Sequence, residues 1–179
     1  MAHRDHDDEF AEFVVLRSPA LHRTAYLMVG DRGLAQDLLQ EALTKTYVAW
    51  PRLRDRSKAE AYARKAVTTT AIGWYRRRQW SSERAAERLP DSPEPGHEDR
   101  VADQEWLWQA LQALPPRQRA ALVCRFYDDL SEADTAAVMG CAPGTVKSQV
   151  SAGLNRLRRE LRSSGHTSPT TTTLLEALS

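Results

Sequence analysis

Cys141-Ala142-Pro143-Gly144-Thr145-Val146-Lys147-Ser148-Gln149-Val150, running on to Leu154-Asn155-Arg156-Leu157-Arg158-Arg159, decides the fold of this chain. Pro143 suits the first turn of a helix, where its missing N–H would go unpaired in any case. Small and polar side chains follow it, then arginines. Just upstream, Ser131-Glu132-Ala133-Asp134-Thr135-Ala136-Ala137-Val138-Met139-Gly140 predicts a short helix. Ser131 serves as its N-cap, Asp134 as the capping-box partner, and Gly140 takes the left-handed turn at its end. Two short helices joined by a tight glycine turn make a helix-turn-helix, whose second helix enters the major groove of DNA. An ordinary helical hairpin is the plainer alternative, but it leaves the agreement of the Gly, Pro and Arg placements unexplained.

Working outward, the rest of the chain also reads as helix, and no stretch is convincing as a strand. Phe10 to Val29 carries apolar residues at Phe10, Phe13 and Val14 and again at Leu21, Ala25 and Met28, with an interruption expected at Ser18-Pro19. Gly30-Asp31 closes this helix, and Asp31 caps the next, which runs from Arg32 to Trp50 and stops at Pro51. Its inward stripe is Ala35, Leu38, Leu39, Ala42, Leu43, Thr46, Tyr47 and Trp50, at helical spacing. Asp37, Gln40, Glu41, Thr44 and Lys45 occupy the other side. Ser57-Lys58-Ala59-Glu60 is a capping box that opens a third helix, reaching about Gln79. Thr68-Thr69-Thr70 within it is poor helix sequence, so tertiary packing must hold it there.

From Ser81 to Arg100 the character changes. Leu89-Pro90-Asp91-Ser92-Pro93-Glu94-Pro95-Gly96-His97-Glu98-Asp99 is acidic and Pro-rich and predicts a linker. A second helical unit begins near Val101, with Trp106, Ala110, Leu111 and Leu114 on its first helix. Pro115-Pro116 then restarts a helix carrying Ala120, Leu122, Val123, Phe126 and Tyr127. Each unit spans only roughly 60 to 80 residues and is marginal as an independent fold. After Arg162 the tail is polar and low in complexity, and disorder is expected. The boundaries that follow are 8–80, a linker 81–100, 101–162, and a tail 163–179: an all-α chain of two small domains on a flexible tether.

Over 179 residues the formal net charge is +1, but charge is segregated along the chain. Asp5, Asp7, Asp8, Glu9 and Glu12 make an acidic start, whereas Arg52 to Lys65 and Arg76-Arg77-Arg78 are basic. A balanced chain with separate basic patches suits a nucleic-acid binder that also docks on a protein. No run of about 18 apolar residues predicts a membrane span, and the first residues lack the apolar core of a secretion signal. A cytoplasmic setting is expected. Of two cysteines, Cys124 lies in an apolar run and reads as core, while Cys141 sits in the helix-turn-helix turn. His3 and His6 lack the spacing and partners of a metal site. No catalytic Ser–His–Asp or Cys–His set and no phosphate-cradling Gly loop is present, so neither enzyme chemistry, nor a cofactor, nor a metal is expected.

Three constellations remain. Tyr62, Trp74, Tyr75 and Trp80 are interleaved with Arg64, Lys65 and Arg76-Arg77-Arg78 on one helix. Bases that leave the duplex stack on aromatic rings while arginines neutralise phosphates. For Tyr62 and Trp74 taken alone, a core role is the better reading. Asp37, Gln40 and Glu41 form a compact patch at spacings of three and four, which by itself reads as a solvated face. Lys147, Ser148 and Gln149 follow the first turn of the second helix-turn-helix helix, where base edges are met, with Ser151 one step further. Thr145, Arg156, Arg158 and Arg159 fit phosphate contacts or solvent.

With these residues in place, the chain resembles the extracytoplasmic-function sigma factors of the sigma-70 family, from about Phe10 to Leu161. Asp37-Leu38-Leu39-Gln40-Glu41-Ala42 is similar to the region 2 motif that docks on RNA polymerase. Ala61 to Arg78 is similar to the helix that melts and reads the −10 element. Ala113-Leu114-Pro115-Pro116-Arg117-Gln118-Arg119, Phe126 to Glu132 and Gly144-Thr145-Val146-Lys147-Ser148 are similar to region 4. Leu34 to Ala42 and Gly144 to Gln149 are most similar to an actinobacterial, SigE-like subgroup. The resemblance implies a transcription initiation factor. Asp37, Gln40 and Glu41 would then contact core RNA polymerase through its β and β′ subunits. Lys65, Thr69, Arg76, Arg77 and Arg78 would meet the −10 element, and Thr145, Lys147, Ser148, Gln149 and Ser151 the −35 element. It implies promoter DNA as partner and commonly an anti-sigma factor, with no membrane. Thr69 stands where many members have Asn, Gly73 where Asp is common, and Gln149 and Ala152 where Arg is frequent. The acidic linker, with Asp91, Glu94, Glu98 and Asp99, would thread a polymerase channel or act as a solvated spacer. A helix-turn-helix regulator working without polymerase is the alternative reading.

Overall fold

The computed structural model describes residues 2–53, 55–81 and 106–163, and side chains within 6–53, 55–77 and 106–163. The expected linker and tail lie outside the described residues. Every described element is helical. The amino-terminal half is three helices, α1 (Ala2–Val29), α2 (Arg32–Ala49) and α3 (Ala59–Ser81). The carboxy-terminal half has helical residues 106–112 (α4), α5 (Pro116–Leu122), α6 (Glu132–Met139) and α7 (Pro143–Ser163).

The local signals explain most boundaries. Asp31 Oδ1 accepts from the Leu34 amide at 2.7 Å and starts α2. Pro116 occupies the first turn of α5, which runs on through a π-helical turn, Val123–Tyr127. Ser131 Oγ accepts from the Asp134 amide at 3.0 Å at the head of α6, and Gly140 ends it at φ 64° and ψ 44°, in the left-handed region. Pro143 opens α7 as expected. Gly153 lets α7 approach α5 closely: a Cβ there would lie 3.0 Å from Leu122 Cδ1, a tight contact.

Three expectations are corrected. Helix α1 runs unbroken through Pro19. That proline is on the exposed side, so water can serve the Val15 carbonyl it frees, and apolar packing on either side holds the helix. Ser57 is not the cap of α3: Asp55 intercepts it, accepting from the Ser57 amide at 3.0 Å and from its hydroxyl at 2.6 Å, and Arg56–Lys58 forms a short 3-10 turn. Glu60 pairs instead with Arg64 at 2.9 Å and Arg17 at 3.1 Å. Tyr47, placed in the inward stripe of α2, is 43% exposed. It lies at the edge of that stripe, where Phe10 packs on its ring and its hydroxyl donates to Asp7 Oδ1 at 2.9 Å. The rest of the stripe is buried, apart from half-buried Leu43.

Ala110, Leu114, Leu122, Leu154 and Leu157 form a core within the carboxy-terminal half, and a larger cluster spans the two halves. Leu21, Ala25, Met28, Leu38, Val67 and Ala71 belong to one buried cluster with Ala120, Ala121, Val123, Cys124, Val138 and Met139 of the other half. At its rim Arg119 is 4% exposed and its guanidinium donates to six acceptors. Among these are Met28 O at 2.7 Å, at the end of α1, and Leu111 O at 3.0 Å, at the end of α4. Cys124 is fully buried as expected, and burial pushes its thiol up to about 12.

Asp128 sits at the same seam. Its Oδ1 accepts from Thr24 Oγ1 at 2.9 Å, and its Oδ2 is 3.4 Å from Arg64 Nε. Burial raises the carboxyl above its ordinary range, outweighing the downward pull of Arg64 and Thr24, and Glu60 adds to the rise. A proton on Asp128 therefore favours the folded state, and that contribution is lost as pH rises through the raised value. Asp128→Asn, which keeps an acceptor for Thr24, should match or exceed the native chain in denaturant melts at pH 8, with the difference vanishing near pH 4. Asp128→Ala should lose about 1 to 2 kcal/mol. An Asn variant as weak as the Ala variant at pH 8 would show that the Arg64 ion pair dominates.

Candidate nucleic-acid interface

Helix α3 presents three faces. Ala63, Val67, Thr70 and Ala71 are buried against the bundle. Arg64, Thr68 and Tyr75 face the carboxy-terminal half, with Thr68 Oγ1 3.8 Å from Cys124 Sγ and Tyr75 Oη accepting from Arg119 Nη1 at 2.8 Å. Tyr62, Lys65, Thr69, Gly73 and Arg76 recur at steps of three and four and form the outer stripe. Four of these are exposed and Gly73 is half-buried, with nothing within 4 Å of the place its Cβ would take. Thr69 Oγ1 donates back to Lys65 O at 2.8 Å. Arg77 is exposed on the adjoining edge, and Arg78 continues the helix with its side chain outside the described residues.

The aromatic residues thus divide. Trp74 Nε1 donates to Glu41 Oε2 at 2.9 Å and Tyr75 is spent on the seam, so of the described rings Tyr62, 38% exposed, stands on the outer stripe. Trp80 lies outside the described side chains.

On α2, Asp37 and Gln40 are exposed as the patch predicts, but Glu41 is half-buried and committed. Besides Trp74 it accepts from Lys45 Nζ at 2.8 Å, and Lys45 also donates to Thr70 Oγ1 at 2.7 Å. The Lys45 hydrogen bond, helped by the indole N–H and by Arg77, holds the Glu41 carboxyl below its ordinary range against the effect of burial. Glu41 is therefore a strut between α2 and α3 at the edge of the patch. Sequence spacing missed this because the partner, Trp74, is far along the chain.

In α7, Val146, Gly153, Leu154 and Leu157 are buried. Ser148, Ser151, Asn155 and Arg159 recur at steps of three and four on the outer face, all exposed, with exposed Lys147 beside them. Thr145 and Gln149 are half-buried at its edge. Asn155, which the sequence reading left out, lies one turn beyond Ser151, and that spacing was the available signal. Lys147 Nζ is 3.5 Å from Glu132 Oε2 at the head of α6, an exposed and weak pairing. The arrangement is that of the second helix of a helix-turn-helix, with a polar outer face over its first two turns and arginines further along.

Comparison with known proteins decides what these faces belong to. Residues 14–81 match the family model of sigma-70 region 2, and residues 104–157 that of sigma-70, region 4. The RNA polymerase sigma-E factor of Streptomyces coelicolor is 41% identical over 153 residues, 86% of each chain. The chain belongs to the extracytoplasmic-function sigma factors of the sigma-70 family. The sigma-E factor of Streptomyces avermitilis is likewise 41% identical, over 87% of this chain and 86% of that one. Among solved structures, the sigma factor RpoE of Bartonella quintana, in complex with the anti-sigma factor NepR, matches with a TM-score of 0.70 at 26% identity, covering 86% of this chain and 97% of that one. This sigma factor is a transcription initiation factor that acts with core RNA polymerase and promoter DNA. No helix among the described residues is long and apolar enough to cross a membrane.

If Glu41 braces the promoter helix of the factor, Trp74→Phe should lower stability by about 1 kcal/mol in urea melts and leave capture of core polymerase intact. Glu41→Gln, which keeps an acceptor for the indole, should be milder than Glu41→Ala. Loss of polymerase capture in Trp74→Phe would assign the contact a docking role instead.

Proposed function

We propose that the two outer faces divide the promoter between them while the α2 patch holds polymerase. Asp37 and Gln40, with Glu41 behind them, dock on the β and β′ subunits of core RNA polymerase. Lys65, Thr69, Arg76, Arg77 and Arg78 meet the −10 element, Tyr62 supplying a ring for an unstacked base. Lys147, Ser148 and Ser151 face base edges of the −35 element, with Thr145 and Gln149 at the margin. The factor works in the cytoplasm, positions polymerase and performs no bond chemistry itself. The complex of the Bartonella relative with NepR supports an anti-sigma factor as a third partner.

The observation that carries this reading is the outer stripe of α3. Five residues of helical spacing, basic at both Lys65 and Arg76 and open at Gly73, are kept out of the core although the helix is buried on its other two faces. The absence of the Asn and Arg residues common in the family at positions 69, 149 and 152 points to a base preference of its own.

Run-off transcription by core polymerase, with and without the protein, tests the whole. The protein should confer promoter-specific transcripts, and Asp37→Arg with Gln40→Arg should abolish capture of core enzyme without changing helicity. Retained capture would remove the α2 patch from the docking surface. For α7, Lys147→Ala should weaken binding to a −35 duplex. A phosphate contact gives a uniform loss and a salt slope smaller by about one, whereas a base contact gives a loss that depends on sequence. Unchanged affinity on every sequence would take Lys147 out of the interface.

A further inference from the structure

The first helix of the helix-turn-helix carries an unexpected charge for the place it occupies. In this motif the first helix crosses the phosphate backbone while the second lies in the major groove, and the free N–H groups at a helix head ordinarily draw phosphate in. From Leu130 to Thr145 this chain has no Lys, Arg or His, and it sets Glu132 and Asp134 in the first turn of α6. The two carboxylates are held differently. Asp134 Oδ2 accepts from Ser131 Oγ at 2.6 Å and is part of the cap. Glu132 reaches across to α7, where its Oε2 lies 3.5 Å from Lys147 Nζ. Val146, next to Lys147, is fully buried and fixes that turn of α7 against the core. The anion therefore stands on the side of α6 nearest the outer face of α7, beside a cation assigned to DNA.

We infer that Glu132 is a specificity-determining residue for the −35 duplex: it restrains the Lys147 ammonium from backbone phosphates and leaves it to acceptors on base edges. The inference rests on the reading of α7 as the −35 helix. In open solvent an exposed pair of this kind contributes little. Against a duplex the same carboxylate discriminates between acceptors. The lysine ammonium has three donors, so it can keep Glu132 on one and offer another to a neutral acceptor such as guanine O6 or N7. A phosphate that shares the ammonium is instead brought within repelling distance of Glu132, since both are anions. Phosphate contacts position a protein on DNA but carry no direct sequence information. Weakening one lowers affinity for every duplex alike, and a contact redirected to a base raises selected binding over unselected. A factor that acts with core polymerase does not depend on its own grip on DNA alone, so this loss of general affinity is tolerable.

Glu132→Gln supplies the test, in the full-length chain titrated with duplex over a range of salt concentrations. On a mixed-sequence duplex the variant should bind about three- to fivefold more tightly than the native chain. Its salt slope should be steeper by about one, as Lys147 gains a phosphate. Both changes should disappear when Lys147→Ala is added, and Glu132→Asp, which keeps the charge, should stay near the native values. On a duplex enriched from a random pool by native holoenzyme, Glu132→Gln should lower the ratio of selected to mixed-sequence binding by about three- to fivefold. Unchanged affinity and slope in Glu132→Gln overturn the inference. So does an equal gain with Lys147→Ala present, because the carboxylate would then repel DNA without acting through the lysine. An unchanged ratio on the enriched duplex overturns it as well. If native holoenzyme enriches no duplex, it is the −35 reading of α7 that fails, while the mixed-sequence titrations of the free chain still decide whether Glu132 restrains Lys147.

Discussion

A single buried guanidinium sits where two helix ends meet, and much of this molecule is arranged around it. Arg119 has no carboxylate partner among its hydrogen bonds; its acceptors are backbone carbonyls at the ends of α1 and α4, the Gln112 amide and the Tyr75 hydroxyl. Helix C-termini carry partial negative charge and orphan carbonyls. Two of them converging on one cation compensate a charge that would otherwise be expensive to bury. The planar fork of arginine, with five fixed donors, can satisfy such a set, and the compact ammonium of lysine cannot. The constraint runs outward from there. Tyr75 is held on the seam, Gln112 is oriented, and Gly30, where a Cβ would lie 2.4 Å from Gln112 Oε1, must stay without a side chain.

Helix α3 is defined by what surrounds it. Because α3 is packed by α1 and α2 on one side and by the carboxy-terminal half on another, its orientation is set on two faces and the third is exposed. Rigid support of this kind is what a reading surface needs, since a loosely held helix would spend binding free energy on being ordered. The Glu41–Lys45–Thr70–Trp74 network reinforces it from the α2 side with charge-assisted bonds. The residues that brace α3 and the exposed Asp37 and Gln40 are thereby neighbours on one helix, and α2 is tied to α3 through bonded side chains and not through backbone alone.

The helix-turn-helix was legible in the sequence because its signals are local. A serine cap, a glycine at the left-handed turn and a proline in the first turn each act within four residues, and each stands where it was expected. The buried stripe of α2 was legible for the same reason, apart from Tyr47, whose surroundings are made by the amino-terminal turns of α1. Ser57 misled because an adjacent aspartate competes for it, a choice between two caps that spacing does not rank. Pro19 misled because the cost of a proline depends on which side of the helix it lies. The site residues were found as types and faces. Which were already engaged was not legible: Trp74 and Tyr75 look alike as aromatic neighbours of arginines, and both are bound elsewhere.

By itself the sequence determined that this chain is all helix, that its second half carries a helix-turn-helix, and which stripes of α2, α3 and α7 are polar. These follow from periodicity and capping, which are properties of contiguous residues. Only the tertiary structure decided that a buried cluster joins two units expected to sit apart, that Arg119 is buried, and that Asp128 meets Thr24 and Arg64. Those depend on pairs separated by tens of residues, brought together by burial of apolar surface and by the need to satisfy every buried polar group, and no local pattern encodes which partner will be there.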